Sequence, residues 1–336
     1  MKKLWAAALA ACACTAAWGQ AAIAPYGTID TALEYQNGGA GSVNRLVSSG
    51  LYATVYGFRG TEDLGNGLHV NFQLEQGFDV STGAASDPAA AFNRLAWVGF
   101  SGDFGELRIG RQKKPEYLLL NNESDPTGVK SIASPINNFG DNSVRSSNAI
   151  SYFTPVWYGF MEQFMVSLRE TPDAPTLLSY NAVVRYVNGP LRVLAGYEKT
   201  ANATTLVEQK VLREVVSYGI GQSRVYLAYQ REGTDDNSEK LQIFEVSGSM
   251  QFNPVNQVSV LYGFARDNTG HGNGGQQLGM LYQYTLSKRT GLYSAAGLLQ
   301  NRNQAQFTLD GTQYSGIPGA PGAYVRGINF GITHKF

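Results

Sequence analysis

The chain closes on 322-GAYVRGINFGITHKF-336, and two interleaved sets of residues can be read out of it. Tyr324, Arg326, Ile328, Phe330, Ile332, His334 and Phe336 fall on one side; Val325, Gly327, Asn329, Gly331, Thr333 and Lys335 fall on the other. Strict period-two alternation predicts a β-strand with one mainly apolar face and one small or polar face. The last residues of most soluble proteins fray. Here the apolar set runs to the carboxylate, so something other than water has to cover it.

The other end of the chain bears on what that cover is. 1-MKKLWAAALAACACTAAWGQ-20 has two lysines, a short apolar run and then small residues, the layout of an export signal that is removed from the mature protein. The expected cut follows Gly19, leaving residues 20–336 as a single domain. An alternative box, Leu9–Cys12 (LAAC), resembles a lipoprotein processing site but would leave an unusually short apolar core. Both cysteines, Cys12 and Cys14, lie in the leader, so disulfides and thiolate metal sites are excluded from the rest. Without Lys2 and Lys3, basic residues are two fewer than acidic ones, and a nucleic-acid partner is not expected.

No later run of about 18 apolar residues exists to form a membrane helix. The 336 residues hold 39 Gly, 19 Tyr, 16 Phe and only 15% charged residues, a mixture that suits strands and turns. The terminal pattern recurs along the chain. Leu68, Val70, Phe72 and Leu74 alternate with His69, Asn71, Gln73 and Glu75; Phe244, Val246 and Met250 alternate with Glu245, Ser247 and Ser249. Val258, Val260, Tyr262 and Phe264, and then Leu278, Met280, Tyr282 and Tyr284, repeat it.

Seven connections are short and turn-rich (EDLGNG, SGDFG, TPVWYG, VNGP, IGQS, FNPVN, LSKRT). Eight are long, near residues 37–51, 79–91, 112–141, 170–178, 199–208, 233–240, 267–275 and 301–322. Seven turns and eight loops join sixteen strands, and an even count with turns at one rim and loops at the other predicts an all-β, 16-stranded antiparallel transmembrane barrel. Its outside would be oily and its inside wet, and closure would remove the exposed edges that so long a sheet would otherwise carry. Tyr26, Tyr35, Tyr152, Tyr158, Tyr186 and Tyr324, near strand ends, would form interfacial girdles.

Six strings, in order along the chain, resemble the general trimeric porins of Gram-negative bacteria, in particular the proteobacterial and neisserial branch. They are 25-PYGTIDTALEY-35, 57-GFRGTEDLGNGL-68, 92-FNRLAWVGFSGDFGELRIGRQ-112, 142-NSVRSSNAISYFTP-155, 286-LSKRTGLY-293 and 327-GINFGITHKF-336. The resemblance implies a homotrimer in the outer membrane, with lipid around it and a water-filled channel for small hydrophilic solutes and ions. It also implies a third long loop, here 112–141, folded inward, with wall arginines facing loop acids. Carried over by position, Arg59, Arg94, Arg111 and Arg145 match the wall, and Glu116, Glu123 and Asp125 are the acids the loop offers. Phe336 would be the address read by the barrel assembly machinery. Where the family usually has a further arginine four residues before Arg59, this chain has Val55, which implies a mild preference for anions.

Parity supports part of this. Arg59 shares a face with Val55 and Gly57, and Arg145 with Ser147, Ala149 and Ser151, so both are expected inside. Arg94, opposite Leu95 and Trp97, is likewise expected inside. Strict alternation puts Arg111 on the face of Leu107 and Ile109, so it needs a bulge or the strand end to turn inward, because a lipid-facing arginine at mid-membrane costs ~2–4 kcal/mol.

His69, His271 and His334 lack metal-ligand spacing, and no cofactor is expected. The runner-up functions are a solute-selective outer-membrane channel and a barrel-type hydrolase, which would need a Ser–His–carboxylate set for which only His69 is well placed. An exported soluble binding protein is a further alternative, separable by detergent dependence. A non-enzymatic channel is the expectation.

Overall fold

The computed structural model describes residues 22–140, 143–169, 177–202, 205 and 207–336. The expected leader, residues 1–19, lies outside them. The strands are β1 (Ala22–Asn37), β2 (Ser42–Ser48), β3 (Val55–Gly65), β4 (Leu68–Gly77), β5 (Leu95–Gly102) and β6 (Gly105–Lys113). They continue as β7 (Arg145–Phe153), β8 (Phe160–Leu168), β9 (Leu177–Asn188), β10 (Leu191–Ala201), β11 (Glu208–Ile220) and β12 (Ser223–Thr234). The last are β13 (Lys240–Asn253), β14 (Asn256–Asp267), β15 (Gly275–Thr285), β16 (Thr290–Asn301) and β17 (Tyr324–Lys335).

All pair antiparallel in one sheet, which closes where β1 meets β17, with Ile29 opposite His334 and Tyr35 opposite Ile328. β2 pairs with the Thr31–Asn37 half of β1 and β3 with the Ala22–Thr28 half. The two are one barrel strand interrupted by residues 49–54, so the wall has sixteen strands.

That interruption corrects the expectation of a loop over 37–51. Ser42–Ser48 stays in the wall, and the chain leaves it only afterwards, at Ser49 with φ +67°. Asp30 holds the detour: its backbone exchanges hydrogen bonds with Thr54 Oγ1 (3.0 and 2.9 Å), and its Oδ1 accepts from Leu51 N (3.2 Å) and the Tyr293 hydroxyl (2.8 Å).

The two faces of the wall are sorted the opposite way from a soluble protein. Leu33 and Phe330 are 67% and 60% exposed on the outside, whereas Gln36 and Asn329 on the inside are fully buried. Leu227, Val246, Val260 and Met280 continue the apolar exterior. Tyr158 and Tyr324 are exposed, as girdle residues should be. Tyr26 is not one of them: its hydroxyl donates to Glu75 Oε2 (3.0 Å) and accepts from Gln73 Nε2 (2.6 Å), so it points inward.

The interior is not uniformly wet. On β13–β17 the inward positions include Ile243, Leu261, Leu281, Leu299 and Val325, all fully buried. They are covered by two long connections, through Ile132, Ile136 and Phe139 of residues 114–144 and Leu309 of residues 302–323. Phe139 meets Phe307 edge-on, with centroids 5.0 Å apart. Burying apolar surface is how a loop is anchored to a wall, and that explains aliphatic side chains on a face expected to be polar.

Candidate functional site: the charged lumen wall

Residues 114–144 begin with a π-helical turn, Glu116–Leu120, run through a single α-turn at Asn121–Ser124 and end in Pro135–Phe139. The last helix is well specified: Ser134 caps it by accepting from Asn137 N (3.2 Å), and Pro135 fills its first position. The segment meets inward positions of several strands. Ile136 N donates to Glu245 Oε2 (3.2 Å), Asn138 Nδ2 to Gln277 Oε1 (2.9 Å), and Gln277 Nε2 to Ile132 O (2.9 Å). Gly279 and Gly297 let its backbone lie flat on the wall, since a Cβ there would stand 1.8 Å from Ala133 O and 2.5 Å from Ile132 O.

Arg94 lies just before β5. Its Nε donates to Glu75 Oε1 (2.7 Å), and the pair is almost completely buried. Arg94 lies inward beside Glu75, but parity is not the reason, because Leu95 and Trp97 also turn inward while Val98 and Phe100 take the outside. The guanidinium of Arg108 lies 4.3 Å from the Trp97 ring centroid, giving the inward indole a cationic partner. Arg94 reaches Glu75 because it precedes the pleated segment.

Arg111 is carried by a bulge. The register shifts between Gly110 and Gln112, with Gly110 at φ +126°, a conformation that only glycine adopts readily. Arg111 Nε then donates to Asn93 O (2.7 Å) and Nη1 to Ser147 Oγ (2.7 Å). Arg145 is half-buried, and its Nε has no hydrogen-bond partner among the described residues. Arg59 lies nearer the short-turn rim, 5.4 Å over the Tyr26 ring.

Two lysines that sequence reading did not single out join this group. Lys113 lies 5.7 Å from the Tyr117 ring and within electrostatic reach of Arg94, Lys130 and Arg145. Lys130, on the loop, donates to Asn122 Oδ1 (2.8 Å), and burial lowers its pKa. The signal for the first was present in 111-RQKKPEY-117, where cations follow the bulge directly.

The three loop acids have three different settings. Glu123 is held between Arg185 (3.2 Å) and Arg192 (2.6 Å) on β9 and β10. Asp125 is turned into its own loop, accepting from Thr127 N (2.6 Å), Thr127 Oγ1 (2.7 Å) and Ser134 Oγ (2.5 Å). Glu116 is buried beside Glu198, Lys114 and Arg213. Burial pushes its carboxyl up to about 8, against the pull of Arg213 and with the added push of Glu198. Lys114 Nζ bonds Glu198 Oε1 and Ser143 Oγ, while Arg213 Nη1 reaches Asn121 Oδ1. None of Lys114, Glu198 and Arg213 was anticipated, because their meeting depends on where the loop lies.

Phe336 closes the seam of the barrel. Its backbone exchanges two hydrogen bonds with Gly27 (3.1 Å each), and its ring occupies the space a side chain at 27 would need.

A closed sixteen-stranded wall, apolar outside and charged inside, defines a membrane channel of the outer-membrane type. The chain matches the model of the Gram-negative porin family over residues 6–304 and belongs to that family, whose place is the outer membrane. It is 30% identical over 360 aligned positions to outer membrane porin protein 32 of Delftia acidovorans, covering 100% of both chains. It is 27% identical over 294 residues to major outer membrane protein P.IB of Neisseria meningitidis, covering 82% of this chain and 87% of that one. Among solved structures, an anion-selective porin from Comamonas acidovorans superposes with a TM-score of 0.84 at 27% identity, over 94% of this chain and 100% of that one. OmpT of Vibrio cholerae, at 14% identity and a TM-score of 0.73 over 94% of this chain and 98% of that one, shares the fold.

Proposed function

We propose that the barrel is a water-filled channel for passive diffusion of small hydrophilic solutes and ions, narrowed by residues 114–144 and mildly selective for anions. The observation that carries this reading is the charge imbalance on one side of the lumen. Arg94, Arg111, Lys113, Lys130 and Arg145 lie together, and of the two carboxylates within their reach Glu75 is already paired with Arg94 while Asp125 lies toward Lys130. A field of one sign in a narrow lumen raises the local concentration of the opposite ion. Glu123, between two arginines, adds no free negative charge. Asp125, satisfied by its own loop, serves as a strut within the constriction. The anion-selective neighbour from Comamonas acidovorans points the same way.

The working unit in this reading is a homotrimer, in line with the trimer form in which OmpT of Vibrio cholerae has been solved on the same fold. Phe336 serves as the assembly address. The test is the reversal potential of the purified protein in a planar bilayer across a KCl gradient. Chloride preference that weakens as salt rises supports the reading; a cation-selective parent channel overturns it.

A further inference from the structure

We propose that Arg185 and Arg192 form an anion site apart from the basic group around Arg145. The chain's own Glu123 occupies this site at rest, and a small divalent oxyanion in the lumen takes its place. The inference rests on the proposed channel only for the route by which such a solute arrives.

The two arginines come from adjacent strands. Val184 is exposed on the outer face of β9, which puts Arg185 on the inner one. In the β9–β10 ladder Arg185 stands opposite Leu194, and Arg192 stands opposite Val187. The arginines are therefore diagonal neighbours, close enough for long side chains to converge. They converge on Glu123: Arg185 Nη2 donates to Oε1 (3.2 Å) and Arg192 Nη1 to Oε2 (2.6 Å).

One carboxylate does not use all that this pair offers. Each guanidinium carries five donors, and Arg192 Nε is buried with no hydrogen-bond partner among the described residues. Across the flanking ladders, Arg185 faces Met161 and Arg192 faces Ser217, neither of them acidic. Ser217 Oγ accepts from Arg224 Nη1 (3.0 Å), which brings a third cation to this side. The other acids of the neighbourhood are engaged elsewhere. Asp125 accepts from Thr127 and Ser134, Glu198 is paired with Lys114, and Glu232 accepts from Gln230.

Two features make the occupant exchangeable. The side chains of Arg185 and Arg192 are 27% and 35% exposed, so a solute in the lumen can reach them. Glu123 rides on a single α-turn, Asn121–Ser124, whereas Leu119 just before it packs against the apolar cluster that contains Val183, Leu194 and Val215. The carboxylate can swing away while the leucine keeps the loop on the wall. A divalent oxyanion brings twice the charge and more acceptor oxygens, which two arginine forks hold better than one carboxylate. Chloride brings neither.

The experiment is equilibrium dialysis of radiolabelled sulfate against the detergent-solubilised barrel, with ionic strength held constant by KCl. Glu123→Gln should bind sulfate about tenfold more tightly than the parent, the gain expected when an occupant that fills its site about nine-tenths of the time is removed. Glu123→Gln/Arg185→Gln/Arg192→Gln should lose that gain. Asp125→Asn, which deletes the same charge from the same loop, should not produce it. Unchanged affinity in Glu123→Gln, an equal gain in Asp125→Asn, or a gain that survives the loss of both arginines each overturns the proposal. If the triple variant does not assemble, Glu123→Gln/Arg192→Gln carries the same comparison. The assay needs no conducting membrane, so a cation-selective channel would overturn the selectivity reading and leave this result standing.

Discussion

Arg94 Nε donates to Glu75 Oε1 at 2.7 Å, and the same carboxylate accepts the Tyr26 hydroxyl at 3.0 Å. The arginine at the heart of the basic group is therefore committed to a partner, whereas Arg145 has no ion pair among the described residues. Removing one partner of a buried pair costs far more than the pair itself contributes, because the other charge stays behind.

Arg94→Gln should consequently shift the reversal potential toward cations more than Arg145→Gln does, since it both deletes a cation and frees an anion. It should also destabilise the barrel by ~3–5 kcal/mol, while Arg94→Gln/Glu75→Gln recovers most of both effects. The checks are bilayer reversal potentials and the thermal midpoint of the folded band in detergent. Equal shifts for the two single variants would show that Glu75 is not the controlling partner.

Gly279→Val should enlarge the channel. Even a methyl group there would overlap Ala133 O at 1.8 Å, so the loop backbone has to lift off the wall. Single-channel conductance should rise, with the barrel fold itself intact because the outward face is untouched. An unchanged conductance would mean that the loop does not set the narrowest point.

Glu116 gives a pH dependence with a defined sign. Its folded-state pKa, about 8, lies above its ordinary value of 4.5, so the carboxyl is neutral at pH 7. The stability it contributes is complete below about 4.5 and is lost as pH rises through about 8. Across that upper limit, anion preference should fall, as a new negative charge appears beside Glu198, Lys114 and Arg213. Glu116→Gln should flatten the profile between pH 7 and 9, read as reversal potential against pH; a slope as steep as the parent's would exclude Glu116 as its source.

Phe336→Ala keeps the two backbone bonds to Gly27 and removes only the ring. In vitro refolding of the purified variant should therefore proceed nearly as in the parent, while its yield in the outer membrane of expressing cells falls severalfold. Parallel losses in both assays would make the ring a structural plug over Gly27 instead of an address.

The exterior was legible in the sequence because its outward positions are apolar along strand after strand, so Leu33, Val246, Met280 and Phe330 obey a single rule. Arg111 was legible for a related reason: an arginine among lipid-facing residues is costly enough to demand a bulge, and Gly110 supplies it. The interior obeys no single rule. Water, the 114–144 segment and the 302–323 segment each cover part of it, and period-two alternation says that two faces differ without saying what lies against each. Parity with an inward Arg94 puts Trp97 outside, whereas Arg108 gives its ring a partner inside. Leu281 and Leu299 could not be assigned to a dry inner wall without knowing where Ile132 and Leu309 would come to rest. Glu116 and Arg213, nearly a hundred positions apart, share no local pattern at all.

Thr312 Oγ1 lies 3.0 Å from Leu51 O and 2.6 Å from Lys130 O, so one hydroxyl proton is shared between the detour in the second barrel strand and the third long loop. The three residues come from the beginning, the middle and nearly the end of the polypeptide. Contacts between such distant positions are the slowest to form, because the chain between them must be ordered first. The clasp on the loop therefore depends on the end of the chain, and so does the wall: residues 302–323 run directly into β17, which closes the sheet against β1. Closing the wall and pinning the loop are tied to one stretch of chain, so a change at Thr312 reaches the second barrel strand and the loop together.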